Sequence, residues 1–379
     1  MGLRVVELAG LGPAQHGCML LADLGADVVR VDRPADVPTA PSERPPTRLI
    51  SRGRRSIAVD LKSPAGREVF RALVERADVL VDPFRPGIVE RLGIGPDECC
   101  GWNPLLIYAR MTGWGQDGPL AAAAGHDLNY VAHAGALHPM GEPDAPPPVP
   151  LNLVGDFGGG GMLLAFSVMA AAYERERSGR GQVLDVAMVD GIASLLIAVC
   201  QYRAGGEWED GRGVNWLQGA APWYRAYATS DGRYVTVASL EPQFYSQLLE
   251  RLGLDAREWP QWDRGRWPEL RSRLEAVFAS RTFAEWRAAL EQTDVCFGAA
   301  LDLPEVLTDP HLAARGTFVE YEGALQPAPV PRFSRTPGAI ACPPAWPGAD
   351  TDEVLRSLDV PDERRRALLA AGAVAAAAP

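Results

Sequence analysis

Residues 3–31 read LRVVELAGLGPAQHGCMLLADLGADVVRV, and this stretch decides the fold class. Leu3 to Leu8 is an apolar run of strand length, and Gly10, Gly12 and Pro13 make a turn. Ala14 to Leu24 suits a helix, and Ala26 to Val31 is a second buried strand. A strand, a helix and a second strand at this spacing predict a parallel sheet covered by helices. Gly10, Gly12 and Gly17 resemble a dinucleotide fingerprint, but the G-x-G-x-x-G spacing fails because position 15 is Gln. The glycines therefore read as a plain strand-to-helix turn.

The alternation continues outward from there. Pro38 to Pro46 is a Pro-rich loop, and Ser56 to Val59 is a strand. Ser63 to Arg76 is an amphipathic helix, Asp78 to Val81 a buried strand, Ile88 to Leu92 a short helix and Leu105 to Arg110 a strand. After a Gly-rich turn and a second Pro-rich loop, Phe157 to Glu176 reads as a long apolar helix. Gln182 to Val186 is a strand and Ala187 to Ala198 a helix. The polar, Gly-rich stretch from Gly205 to Gly213 marks a linker. A hairpin follows, Tyr224 to Ala228 and Tyr234 to Ala238, turning at Asp231-Gly232. The expected layout is a large α/β domain over 1–200, a linker at 201–219, a small α+β domain over 220–305, and a return to the large domain over 306–379. The Ala-rich end, Ala370 to Pro379, reads as frayed.

Composition narrows the function. The chain has 379 residues and a net charge of −11, which argues against a dedicated nucleic-acid binder. No window approaches 18 consecutive apolar residues free of glycine and charge, so no membrane span or membrane partner is expected. The six cysteines form no C-x-x-C pair and no zinc pattern, so no metal is expected. Their scatter suits free thiols in a reducing cytoplasm.

Three segments carry chemistry. Gly125-His126-Asp127 opens a periodic apolar stretch, so His126 sits near a helix start. There it either caps the helix or stands beside amides able to hold developing negative charge. Asp156 opens another helix and is followed by Phe157 and four consecutive glycines. Each glycine costs about 1 kcal/mol relative to alanine in a helix, so close backbone approach is expected there. Glu241 precedes Pro242, where it caps the next helix or orients a distant histidine. Basic residues concentrate early, among them Arg30, Arg33, Arg52, Arg54, Arg55, Lys62, Arg85 and Arg91. Within an acidic chain, such a group near strand ends suits a phosphate-rich ligand. His16, His133, His138 and His311 have no partner spacing and read as structural or surface residues.

On these residues the chain resembles the α-methylacyl-CoA racemases, within the family III CoA-transferase superfamily. The resemblance rests on Gly2 to Leu8, Asp23 to Val29, Asp60-Leu61-Lys62, Arg85-Pro86-Gly87, Arg91-Leu92-Gly93 and Ala109 to Gln116. It rests further on Gly125-His126-Asp127, Gly155 to Gly160 and Glu241 to Tyr245, and it covers nearly the whole chain. It implies a Rossmann-like large domain without nicotinamide, a small domain and an interlocked homodimer whose active sites combine both subunits. The implied activity is that of an isomerase in lipid metabolism, inverting the α-carbon of a 2-methylacyl-CoA through an enolate. By the resemblance, His126 and Asp156 are the two bases, Glu241 supports the histidine, and the Asp127 amide holds the oxyanion. Arg33, Arg52, Lys62, Arg85 and Arg91 would hold the CoA nucleotide, and Tyr130 would line the thioester region. CoA is then part of the substrate and no separate cofactor is implied. The rival within the superfamily is a CoA-transferase in which Asp156 attacks the acyl-CoA to form a mixed anhydride. A transferase needs no histidine opposite that aspartate, so Gly125-His126-Asp127 favours the racemase.

Overall fold

The computed structural model describes residues 2–39 and 48–377, so most of the Pro-rich loop expected at Pro38 to Pro46 lies outside the described residues. The chain divides into two compact units. The first comprises 1–134, 150–196 and 316–379, and the second 135–149 and 197–315. The strands in chain order are β1 (Arg4–Leu8), β2 (Asp27–Asp32), β3 (Arg54–Val59), β4 (Val79–Asp82), β5 (Ile107–Thr112) and β6 (Gln182–Ala187). They continue with β7 (Tyr224–Ala228), β8 (Tyr234–Ala238), β9 (Phe297–Ala299), β10 (Phe318–Tyr321), β11 (Ala324–Pro327) and β12 (Val374–Ala375).

In the first unit a seven-stranded sheet runs β12-β3-β2-β1-β4-β5-β6 among the described residues. All neighbours are parallel except β12 on β3. In β1 and β4 at its centre Val5, Val6, Leu8, Val79, Leu80 and Val81 are all buried, as a sheet covered on both faces requires. The helix Pro64–Arg76 shows the local logic. The Ser63 side chain caps it by accepting from the Gly66 amide at 3.0 Å, and Pro64 suits the first turn. Val69, Phe70, Leu73 and Val74 lie on its buried face and join the core formed with Val6, Ile57 and Leu80. The chain steps outward from β1 to β3, then returns to the other side of β1 with β4. That reversal opens a crevice at the carboxyl ends of the strands, where ligands bind in such sheets.

One expectation fails here. The Ala-rich end is not frayed through its described part. Val374 and Ala375 form β12, pairing with Val59 and Ala58, and Val374 is buried. The β3 edge offers unpaired backbone groups, and a short Ala/Val segment can satisfy them regardless of its low complexity.

The long helical run starts earlier than expected. A π-helical stretch, Leu153–Met162, continues as the α-helix Leu163–Ser178. Its glycines meet neighbouring backbone directly. A Cβ on Gly159 would lie 2.8 Å from the Ile192 amide nitrogen, and one on Gly191 would lie 1.9 Å from the Gly159 carbonyl oxygen. The helix Met188–Leu195 thus packs backbone to backbone on the run. Gly159→Ala is expected to lower stability by about 1–3 kcal/mol through overpacking, read as a lower urea midpoint. By length and composition the run 153–178 could span a membrane, with a mean hydropathy of 1.5 and one third of that window buried. Its glycines at 155 and 158–161 and the charges of Asp156 and Glu174 keep it from being an apolar window free of glycine and charge.

In the second unit β7, β8 and β9 form an antiparallel sheet, with Tyr224 opposite Ala238 as the hairpin predicts. Helices Pro242–Arg251, Trp267–Phe278 and Phe283–Leu290 enclose a core rich in tryptophan, including Trp223, Trp267 and Trp286. The 201–219 stretch, expected as linker, begins inside the helix Ile197–Ala204 and clusters with this unit, as does 135–149.

Candidate active site

A cavity of about 900 Å³ opens in the first unit at the carboxyl ends of the central strands. Gly10 and Leu11 after β1, Arg33 after β2, Phe84 and Arg85 after β4, and Trp114 after β5 all line it. His126, Tyr130 and Asp156 line it too.

His126 is the N-cap of the short helix Asp127–His133. Its amide donates to Asn129 Oδ1 at 3.0 Å, so the cap is locked by a side chain from the next turn. The imidazole is exposed to the cavity. Asp127, by contrast, is buried. Its Oδ1 accepts from the Asp156 amide at 2.7 Å, and its Oδ2 has no hydrogen-bond partner among the described residues. The Asp127 amide donates no hydrogen bond among the described residues.

Asp156 sits in the π-helical stretch beside the start of the helix Gly12–Asp23. A Cβ on Gly12 would lie 3.6 Å from Asp156 Oδ2. Burial raises the Asp156 carboxyl above the ordinary aspartate range. The Asn152 side chain, donating at 3.4 Å, opposes that rise, Asp127 adds to it, and His126 opposes it. A proton is thus held more tightly than on an exposed aspartate. The Tyr130 hydroxyl donates to the Gly125 carbonyl at 2.5 Å, and its ring meets Trp114 edge-on at 4.8 Å. Burial raises the Tyr130 phenol above its ordinary range, and the Asp156 charge adds to that.

Glu241 lies in the second unit as the N-cap of Pro242–Arg251. Its carboxylate makes no cap hydrogen bond, and only its carbonyl is used, by the Tyr245 amide at 3.0 Å. Glu241 thus holds the N-cap position, the first of its two readings, through its backbone carbonyl and not through its side chain.

The basic residues separate into two sets. Arg33 and Arg85 line the cavity. Arg33 is largely exposed beside Asp36, and Arg85 donates to the Ala122 carbonyl at 3.4 Å. Arg52 is a correction. It is buried away from the cavity, with two bonds to Asp23 at 3.1 and 2.6 Å and one each to Gln326 and the Pro327 carbonyl at 2.8 Å. A buried guanidinium with most of its donors spent on protein does not reach a phosphate in that cavity. Lys62 and Arg91 are exposed but do not line the cavity. The sequence reading missed Arg48 and Trp346, which do line it. It set Arg30 only among the general basic group, yet Arg30 lines the cavity while held by Asp32 at 2.7 Å. Trp346 comes from the returning C-terminal segment, where no motif signals it.

The histidines without partner spacing behave as expected of structural residues where they are packed. His16 is tilted against Phe157 at 4.7 Å, and His133 meets Trp114 edge-on at 5.3 Å. Burial lowers the His16 imidazole, and Arg54 and Arg52 lower it further. All six cysteines are free thiols. Among the described residues no group of three or more His, Cys, Asp or Glu side chains is placed to hold a metal ion.

A mostly parallel sheet with its crevice lined by an acid, an imidazole and the arginines Arg33 and Arg85 is the arrangement of an α/β enzyme. Residues 1–352 match CoA-transferase family III, and the chain belongs to that family. It is 44% identical to the alpha-methylacyl-CoA racemase of Mus musculus over 94% of this chain and 92% of the relative. It is 43% identical to the alpha-methylacyl-CoA racemase of Homo sapiens over 89% of this chain and 87% of the relative. A crystal structure of a CAIB/BAIF family protein from Brucella suis superposes with a TM-score of 0.80 at 27% identity, covering 94% of this chain and 98% of that one.

Proposed function

We propose that this chain is an α-methylacyl-CoA racemase, an isomerase that inverts the α-carbon of 2-methylacyl-CoA thioesters. The observation that carries the reading is that His126 and Asp156 line one cavity, next to the Asp127 amide, which donates no hydrogen bond among the described residues. One base takes the α-proton, and the C–H electron pair becomes the C=C bond of an enolate whose oxygen carries the charge. The other base, protonated beforehand, returns a proton to the opposite face. A thioester α-proton is weakly acidic, so the oxyanion needs fixed donors, and the Asp127 amide is the one the reading assigns. The raised Asp156 carboxyl narrows the gap to imidazole, which suits a pair exchanging proton states. Glu241 is assigned to support His126, and Tyr130 to line the thioester region.

Arg33 and Arg85 are assigned to the CoA phosphates. Arg85→Ala is expected to raise KM for acyl-CoA roughly ten- to hundredfold with kcat nearly unchanged, as loss of one charge-assisted contact worth about 1.5–3 kcal/mol. Steady-state kinetics on the variant checks this.

The working form in this reading is a homodimer in the cytoplasm, with CoA entering only as part of the substrate. Met162, Phe166, Met169 and Tyr173 form an exposed apolar stripe at helical spacing along Leu163–Ser178 and the turn before it, with Phe166 71% exposed. A stripe of this kind favours a protein interface. Phe166→Glu is expected to shift the mass measured by light scattering from dimer to monomer.

The test of function is incubation of one enantiomer of a 2-methylacyl-CoA in D₂O. Deuterium entering the α-position together with racemisation supports the reading. Transfer of CoA to an added carboxylate without exchange would instead make Asp156 a nucleophile and the protein a transferase.

A further inference from the structure

Two side chains from one turn hold the backbone of both assigned bases. Asn129 Oδ1 takes the His126 amide at 3.0 Å, and Asp127 Oδ1 takes the Asp156 amide at 2.7 Å. The Asp127 side chain is not placed there loosely. The residue is 8% exposed, and a Cβ on Gly155 would come within 2.4 Å of the same Oδ1. Position 155 therefore has room for glycine and nothing larger while Asp127 reaches across. The Asp127 Oδ2 is buried without a donor among the described residues. Asp127 thus serves here as an acceptor of fixed reach at Oδ1.

We propose that the Asp127 carboxyl is a positioning residue, acting as a clamp that sets Asp156 against His126 through the Asp156 backbone amide. This role is separate from that assigned to the Asp127 amide. Its kinetic readout rests on the racemase reading above. The clamp needs an acceptor at the Oδ1 position, which asparagine supplies. Glutamate keeps the charge but carries its oxygens one methylene further, into the Gly155 backbone. Misplacing a reacting group by about 1 Å costs roughly a hundredfold in rate.

The experiment compares Asp127→Asn and Asp127→Glu with the unaltered protein, using α-proton exchange in D₂O and hydrogen exchange of the peptide spanning 152–161. The asparagine variant is expected to keep the amide protection near Asp156 and KM within about threefold, while the acid limb of its kcat profile moves to lower pH because Asp127 no longer adds to the rise at Asp156. The glutamate variant is expected to lose about a hundredfold in kcat, with KM within about threefold and faster amide exchange near Asp156. The reverse order, with glutamate active and asparagine inactive, would show that charge and not reach matters and would overturn the clamp. So would unchanged amide protection in the glutamate variant. Should glutamate prevent folding, the asparagine variant still decides, since loss of its protection alone overturns the clamp. Absence of exchange in the unaltered protein would count against the racemase reading, and the amide protection would then test the clamp by itself.

Discussion

His126→Ala and Asp156→Ala are each expected to reduce racemisation by about 10²–10⁴-fold, the range for removing a positioned acid or base. The two losses should not be the same experiment twice. In a two-base reaction each enantiomer gives its proton to a different group. With one base gone, the remaining base can still abstract from the enantiomer it faces, but the proton returns only to the face it left. Deuterium should then wash into one enantiomer of substrate faster than configuration is lost, with opposite preference in the two variants. Loss of exchange from both enantiomers in both variants would contradict that division of labour. The pH profile carries a further expectation. Burial, aided by Asp127, raises Asp156, so the limb it governs lies above the pH of an ordinary aspartate. Below that limb Asp156 carries its proton and can only donate, and above it Asp156 can accept. The direction whose first step is abstraction by Asp156 should therefore fall on the acid side. Rates measured from each pure enantiomer across pH separate these limbs.

The largest effect on stability is expected at Arg54. Its side chain is wholly buried beneath the helix Gly12–Asp23, 3.3 Å from Glu7, which is also wholly buried. It donates as well to the Ile50 carbonyl at 2.8 Å and to the Gln15 carbonyl. Burial pushes the Glu7 carboxyl up, while Arg54 and then Arg30 pull it down. Arg54→Met leaves a carboxylate without its counter-charge and removes one donor each from the Gln15 and Ile50 carbonyls. Breaking a buried pair on one side costs about 3–5 kcal/mol. The double change Glu7→Gln with Arg54→Met is expected to recover a large part of that, because it removes the stranded charge. Urea denaturation of the three proteins checks the order. A single variant as stable as the parent would mean that Glu7 is already neutral in the fold.

The fold was legible because burial on both faces of a sheet leaves a strong mark. Val79 to Val81 is a continuous apolar run and Val28 to Val31 holds three valines around Arg30, and their strands sit within a residue or two of expectation. The candidate site was partly legible. His126 and Asp156 lie where local features concentrate, a helix start and a glycine run, and both line the cavity. What failed depended on partners far away in sequence. Nothing near Arg52 announces that Asp23 and Gln326 will take its donors. Nothing in Val374-Ala375 suggests a strand until Val59 is seen to lack a neighbour on that side. Trp346 likewise enters the cavity wall only because Ser56 and Arg30 tie the segment around it. The Gly348 amide donates to Ser56 Oγ at 2.8 Å, the Ser56 amide to Asp350 Oδ2 at 2.7 Å, and Arg30 to the Ala345 carbonyl at 3.2 Å.

That tie has a consequence for synthesis on the ribosome. Strand β3 leaves the exit tunnel long before its partners at 345–350 and 374–375 exist. At about 5–20 residues per second the wait is roughly 15–60 s. Throughout it, the nascent sheet carries an open margin and a half-built crevice wall, while the second unit, almost all of it between 197 and 315, can condense first. A segment translated long after β3 thus completes that side of the sheet, and a chaperone that shields β3 during this interval would act where the growing chain is most exposed to mispairing.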